Sequence, residues 1–457
     1  MDATTQQLVD FAMQSEFASL PAPVVHECKR RLIDSFGCAI GAYEEPLSRS
    51  ARKIAHQYVS ARGASVWGSG VRTMPEAAAF ANGIMLRYLD LSDTYVGKCR
   101  GHPSDTMAGV LAVAEAVGAD GPSVINAVVL AYDVYCSLIN AVDFNSKGWD
   151  QPVYGVLAGA LAAGKLMKLS AQQMGDAVSL ALVPNMALVR TRQGELSSWK
   201  GCAGANAARN SVFAAQLAKE GFTGPTDVFE GRGGLWSIVG RFDVPLPTGS
   251  APHMMTQTHL KSLPVCYHGQ SAVIAALDLR KRVKAADVRE IRIDTYHTAV
   301  MMMGGDPGRW APATRETADH SLPYCVAIAL LDGEVTAQSF TQERLQDPAV
   351  QGLMRMVKVN EDAALCAQYP ESVPSRVSIK TAGGELLSAE VRYPTGHAMN
   401  VMSDAEVEKK FRGMFTGSDR AGRGERILET IWKLDQVGDF GREVIGLLTF
   451  PASNVDA

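Results

Sequence analysis

Residues Tyr88 to Thr106 read YLDLSDTYVGKCRGHPSDT and break a run of long, Ala-rich apolar stretches. They bring Asp90 and Asp93, with Thr94 beside them, close to Lys98, Arg100 and His102. Pro103 pushes His102 toward an extended backbone. Ser104 is placed to cap the apolar helix that follows, SDTMAGVLAVAEAVGA. His102 is therefore expected at a helix N-terminus, where unpaired N–H groups and the helix dipole favour anions. Such a loop can hold a carboxylate against backbone N–H groups with a histidine beside it. The alternative is a solvated turn.

Three further stretches bear on that choice. RTRQGELSSWKGCAGANAARN places Lys200 at the head of a helix, preceded by Arg190 and Arg192. Guanidinium groups clamp carboxylates bidentately and an ammonium adds a point charge, a combination that suits a polycarboxylate. KSLPVCYHGQSAV carries Lys261 and His268 where the texture of the chain changes, and domain borders favour ligand sites. DHSLPYCVA sets Tyr324 in an apolar helix, where most tyrosines bury the ring and hydrogen-bond the hydroxyl.

These groups must be positioned by the rest of the chain. Up to about Lys261 the apolar spacing is helical almost throughout, with Gly/Pro breaks such as GADGPS and EGFTGP. After Leu263, VREIRIDTY and SRVSIKTAGGELLSAEVRYP alternate with period two, the second reading as a hairpin turning at AGGE. ETADHSLPYCVAIALLDG between them reads as one helix, and helical spacing returns in SDAEVEKKFRGMF and GERILETIWKLDQV. The expected fold is mostly α: an all-helical domain (residues 1–262), an inserted smaller α+β lid domain (263–400), and C-terminal helices (401–457) completing the first.

Bulk properties narrow the function classes. The net charge of −4 gives no general attraction to nucleic acid or an anionic membrane, so an anionic ligand needs a local cluster. The eight cysteines show no CxxC or paired spacing, which argues against a zinc or iron–sulfur site and a disulfide framework. GSGVRT lacks a third glycine and EGRGG lacks a following Lys-Ser/Thr, so neither is a nucleotide motif. INAVVLAYDVYCSLINAV carries Asp133 at its middle and is not read as a membrane span. The chain reads as a cytoplasmic protein.

In order along the chain, LDLSDT and GHPSDT, WKGCAGANAARN, GFTGPTDVFEGRGGLW, KSLPVCYHGQSA and HSLPY resemble the MmgE/PrpD family. Its members include 2-methylcitrate dehydratase, cis-aconitate decarboxylase and iminodisuccinate epimerase. The resemblance covers nearly the whole chain. It implies a helical domain, an α+β lid, an active cleft between them and a homodimer. It also implies small di- or tricarboxylate substrates without metal, nucleotide or other cofactor. The family's motifs fall on Asp90, Thr94, His102, Lys200, His268 and Tyr324. One departure is Trp149-Asp150-Gln151, where dehydratase-like members often have WDH.

The chemistry so implied removes a proton beside a carboxylate and then loses water, loses CO2 or returns the proton. His102 is the expected proton-transfer group, since an unperturbed imidazole titrates at about 6.5. Lys200 is expected to stabilise the charge building on the adjacent carboxylate. Asp90 would orient His102 or Lys200, or act as base. Tyr324 and His268 would donate to the departing hydroxyl or a distal carboxylate, with Thr94, Arg190, Arg192 and Lys261 binding substrate. Dehydration of 2-methylcitrate or a related citrate-like acid leads; decarboxylation or epimerisation of a related acid competes, and a non-catalytic carboxylate-binding protein is the reading from another class.

Overall fold

A computed structural model describes residues 1–416 and 418–450, and the chain is mostly helical. It divides into two compact units. The first comprises Met1–Thr191, Gly201–Thr258 and the segment from Ser403 onward; the second comprises Arg192–Lys200 and His259–Met402. Arg192–Lys200, read from the sequence as part of the first domain, thus group with the second unit.

In the first unit the helical periodicity becomes long, small-residue helices. Pro75–Tyr88, Met107–Val117, Gly121–Ala141 and Pro152–Leu166 bury most of their residues. Gly121–Ala141 is long and apolar enough to cross a membrane, yet 94% of its apolar window is buried inside the protein. Its Asp133 is held by His253 Nδ1 at 2.6 Å and by the Met254 amide at 2.7 Å. The unit is not all-helical as expected: Val59–Ser65 pairs with Arg72–Thr73, and Tyr95–Val96 with Arg100–Gly101, both antiparallel. The second pair folds the charged loop back on itself.

The segment GPTDVFEGRGGLW is tied down by the first helix. Asp2 caps Ala3–Gln14 through the Thr5 amide at 2.8 Å and also accepts from the Phe229 and Glu230 amides at 2.8 and 3.1 Å. Glu230 in return accepts from the Thr4 amide and hydroxyl, both at 2.8 Å. Burial pushes the Asp2 carboxyl pKa up, but the bonds from Thr5, Glu230 and Phe229 outweigh it and hold the pKa below its ordinary value. That stabilisation is present above the unfolded pKa of about 3.9 and is lost as pH falls through the lower folded value. Asp2→Ala should cost about 1–3 kcal/mol in urea unfolding at pH 7, a gap that narrows in acid.

The second unit is α+β. Its four strands run in the order Val357–Glu361, Val288–Thr295, Ser375–Thr381, Leu386–Val391, parallel between the first two and antiparallel elsewhere. The hairpin turns at Ala382–Glu385, where Gly384 takes φ +82° and Thr381 N–H donates to Glu385 O. Val377 and Ile379 alternate inward and join a core with Ala272, Val273, Val326 and Ala327 from the covering helices. The strand Val357–Glu361 was not expected. The single helix expected across Glu316–Gly333 is two, Arg315–Ala318 and Leu322–Asp332, broken at Asp319–Ser321. Ser321 caps the second through the Tyr324 amide and Pro323 stands in its first turn, the usual start signal of a new helix.

Candidate active-site groups

In the first unit, the helix Pro75–Tyr88 ends at Leu89 and the chain turns sharply at Asp90, whose φ of +50° is unusual for a non-glycine residue. The turn brings Asp90 Oδ1 to 2.9 Å from Arg87 Nη1, while Arg87 Nε lies 3.1 Å from Asp105 Oδ1. All three side chains are 2% exposed. One guanidinium thus balances two buried carboxylates. The Asp105 carboxylate fills space that a side chain at position 204 would occupy, since a Cβ there would lie 2.2 Å from Asp105 Oδ2. This accounts for Gly204 in WKGCAGANAARN.

His102 is half-buried at the start of the 3-10 turn Pro103–Thr106, which leads directly into Met107–Val117. Its Nδ1 lies 2.7 Å from the Asp93 carbonyl oxygen. A carbonyl only accepts, so Nδ1 carries the proton and the lone pair of the neutral ring is on Nε2. The capping expected of Ser104 is not made by its hydroxyl; instead Asp93 Oδ1 accepts from the Ser104 amide at 3.1 Å. Thr94 is buried and donates to the Gly101 carbonyl at 3.0 Å, closing the loop.

Gln151 stands behind this loop. Its Oε1 accepts from the His102 amide at 3.4 Å and from the Tyr135 hydroxyl, and its Nε2 donates to Asp105 Oδ2 at 3.2 Å. Gly101 has to be glycine here, because a Cβ would lie 2.5 Å from the Tyr135 hydroxyl oxygen and 3.0 Å from Gln151 Oε1. Gln151 therefore links the His102 backbone to the Arg87–Asp105 pair. Arg190 is exposed.

In the second unit, Trp199 and Lys200 are the first residues of the helix Trp199–Lys219. Lys200 is buried, and its Nζ lies 3.1 and 3.3 Å from the two Asp319 oxygens. A cation at a helix N-terminus opposes the dipole, and the Asp319 carboxylate offsets that. Asp319 Oδ1 also meets His320 Nδ1 at 2.5 Å. Burial works against the charged form of His320, as does Lys200, yet Cys266 and Asp319 favour it, and the pKa stands above the ordinary imidazole value. Asp319 and His320 were missed in the sequence reading because HSLPY was absorbed into a longer helix. The Ser-Leu-Pro start signal marks the break that displays them.

The other expected residues of this unit are placed as follows. His268 is buried, with Nδ1 2.6 Å from the Tyr296 hydroxyl and its ring among Tyr267, Tyr296 and Tyr369. Lys261 is buried. Arg192 is half-buried and donates through Nη1 to the Lys200 carbonyl at 3.0 Å. Tyr324, expected to donate to the departing hydroxyl or a distal carboxylate, is fully buried in the hydrophobic core; its hydroxyl donates to the Ser339 carbonyl at 2.6 Å, and burial pushes its pKa up. That is a bracing role, as for most buried tyrosines.

Comparison with known proteins places these groups in a family context. The MmgE/PrpD N-terminal domain matches residues 6–243 and the MmgE/PrpD C-terminal domain matches residues 263–436. The chain is 29% identical to a protein named 2-methylcitrate dehydratase from Salmonella typhimurium, over 87% of this chain and 86% of that one. It is 26% identical to the mitochondrial 2-methylcitrate dehydratase of Yarrowia lipolytica, over 93% of this chain and 86% of that one. A cis-aconitate decarboxylase-like protein of Aspergillus oryzae is 25% identical over 97% of both chains. The first match contains the Asp90–His102 loop and Gln151, the second contains Asp319 and His320, and with both halves accounted for in order the protein belongs to the MmgE/PrpD family.

Proposed function

We propose that this protein is a lyase that removes a proton beside a carboxylate of a small di- or tricarboxylate, and that its reaction is the dehydration of 2-methylcitrate or a related citrate-like acid. The observation that carries this reading is the near-full-length similarity to proteins named 2-methylcitrate dehydratase. The acid–base and cationic groups held in place within each unit give it chemical support.

In the proposed mechanism His102 takes the proton through Nε2, the basic nitrogen of the ring whose Nδ1–H is spent on Asp93 O. Lys200 stabilises the charge that grows on the neighbouring carboxylate. The hydroxyl needs a proton to leave as water, and His320, whose protonated form is favoured by Asp319, supplies it. One proton is taken, one is given, and the C–H and C–O bonds are exchanged for a C=C bond and water. Asp90 serves through Arg87, Thr94 through the closure of its loop, and His268 and Lys261 bind substrate. No metal, nucleotide or other cofactor takes part, and the working form is a cytoplasmic homodimer.

Decarboxylation is the second reading, favoured by the Aspergillus oryzae relative that covers 97% of this chain. Incubation with 2-methylcitrate, citrate, cis-aconitate and iminodisuccinate separates the possibilities. Alkene absorbance from 2-methylcitrate or citrate is the expected result. CO2 release from cis-aconitate without alkene formation from the hydroxy acids would replace dehydration by decarboxylation. Solvent deuterium uptake without net conversion would replace it by epimerisation.

A further inference from the structure

Arg309 belongs to none of the groups assigned above, yet its setting in the second unit is unusual. It lies in the short turn Pro307–Trp310, which Asp306 caps by accepting from the Gly308 amide at 3.0 Å. The Arg309 carbonyl accepts from the Ser321 hydroxyl, which ties this turn to the break that displays Asp319 and His320. The side chain is buried, with 3% exposure, and Nε and Nη1 have no hydrogen-bond partner among the described residues. Burial works against its charge and holds its pKa below the ordinary value, while Cys266, Asp306 and Asp319 favour the charge.

A buried guanidinium with two donors unmet is costly, and native proteins retain such a group where something else completes it. Asp319 already serves Lys200 and His320, and Asp306 is spent on its cap. What is missing at Arg309 is an anionic oxygen acceptor: Nε–H and the Nη1 hydrogens lie on opposite edges of the guanidinium, so a carboxylate would engage one of them together with Nη2, as a guanidinium fork does. We infer that Arg309 binds a substrate carboxylate that takes no part in bond breaking, and so selects acids carrying one carboxylate more than the chemistry requires. The inference rests on the proposed action on polycarboxylates.

The test uses tricarballylate and glutarate, which have three and two carboxylates and no hydroxyl to lose. Calorimetric titration of the parent protein should show tighter binding of tricarballylate. Arg309→Gln should weaken tricarballylate about tenfold to a hundredfold, the span of a charged bidentate contact, and leave glutarate within about threefold. Arg309→Lys, which keeps charge but not the fork, should fall between. Without ligand, Arg309→Gln should melt at or above the parental temperature, because it removes a buried unmet charge. A marked fall in that melting temperature would make Arg309 a structural residue and overturn the inference. Undiminished tricarballylate binding by Arg309→Gln, or equal parental affinity for the two acids, would overturn it while leaving the polycarboxylate reading intact. A parental protein that binds neither acid would overturn both.

Discussion

Replacing His102 by asparagine should lower turnover by about 10²–10⁴-fold and leave the fold in place. Asparagine presents an N–H close to the position of imidazole Nδ1, so the bond to the Asp93 carbonyl, 2.7 Å in the parent, can be kept. What disappears is the basic nitrogen on the other side of the ring. The His102 amide, bonded to Gln151 at 3.4 Å and to the Tyr135 hydroxyl at 3.1 Å, is unaffected by the change. The measurement is kcat on whichever acid of the panel is turned over, beside circular dichroism and thermal melting. Near-parental kcat with an unchanged melting curve would remove His102 from the proton-transfer role.

The largest loss of stability is expected at Arg87. Its guanidinium meets Asp90 at 2.9 Å and Asp105 at 3.1 Å, and all three side chains are almost wholly out of water. Arg87→Met keeps much of the packing volume and takes the guanidinium away from both carboxylates. Breaking a buried pair in this way costs about 3–5 kcal/mol, most of it the penalty of the charge left behind. Urea unfolding should show the loss directly. Adding Asp105→Asn to Arg87→Met should recover part of it, because the two changes act on one network. Since Asp105 also holds Gln151, and Gln151 the His102 backbone, the single variant should lose activity beyond its loss of folded protein. A loss below about 1 kcal/mol would mean that groups other than Arg87 balance these carboxylates.

The two sets of candidate groups were legible in the sequence to different degrees. Asp90, Thr94 and His102 lie within thirteen residues, and the punctuation of that stretch, with Pro103 before an apolar helical run, already announced a loop ending at a helix start. The small hairpin Tyr95–Val96/Arg100–Gly101 that folds it was invisible, because two-residue strands carry no periodicity. Tyr324 was read as chemical by its place in a motif, whereas its hydroxyl is spent on the Ser339 carbonyl. The strand Val357–Glu361 escaped because it is short and partly exposed, with no clean alternation.

Helix texture, the hairpin at AGGE and the change of character after Leu263 follow from the sequence alone, because 3.6- and 2-residue periods are local and each repeat reinforces the last. The tertiary structure decided the partners. It paired Lys200 with Asp319 across 119 positions, set Gln151 against Asp105 across 46, and left Arg309 buried with two donors unmet. A charged side chain carries no local mark of which opposite charge it will meet. That choice is made when helices and sheet close over the group and remove the water that would otherwise have served any of them equally.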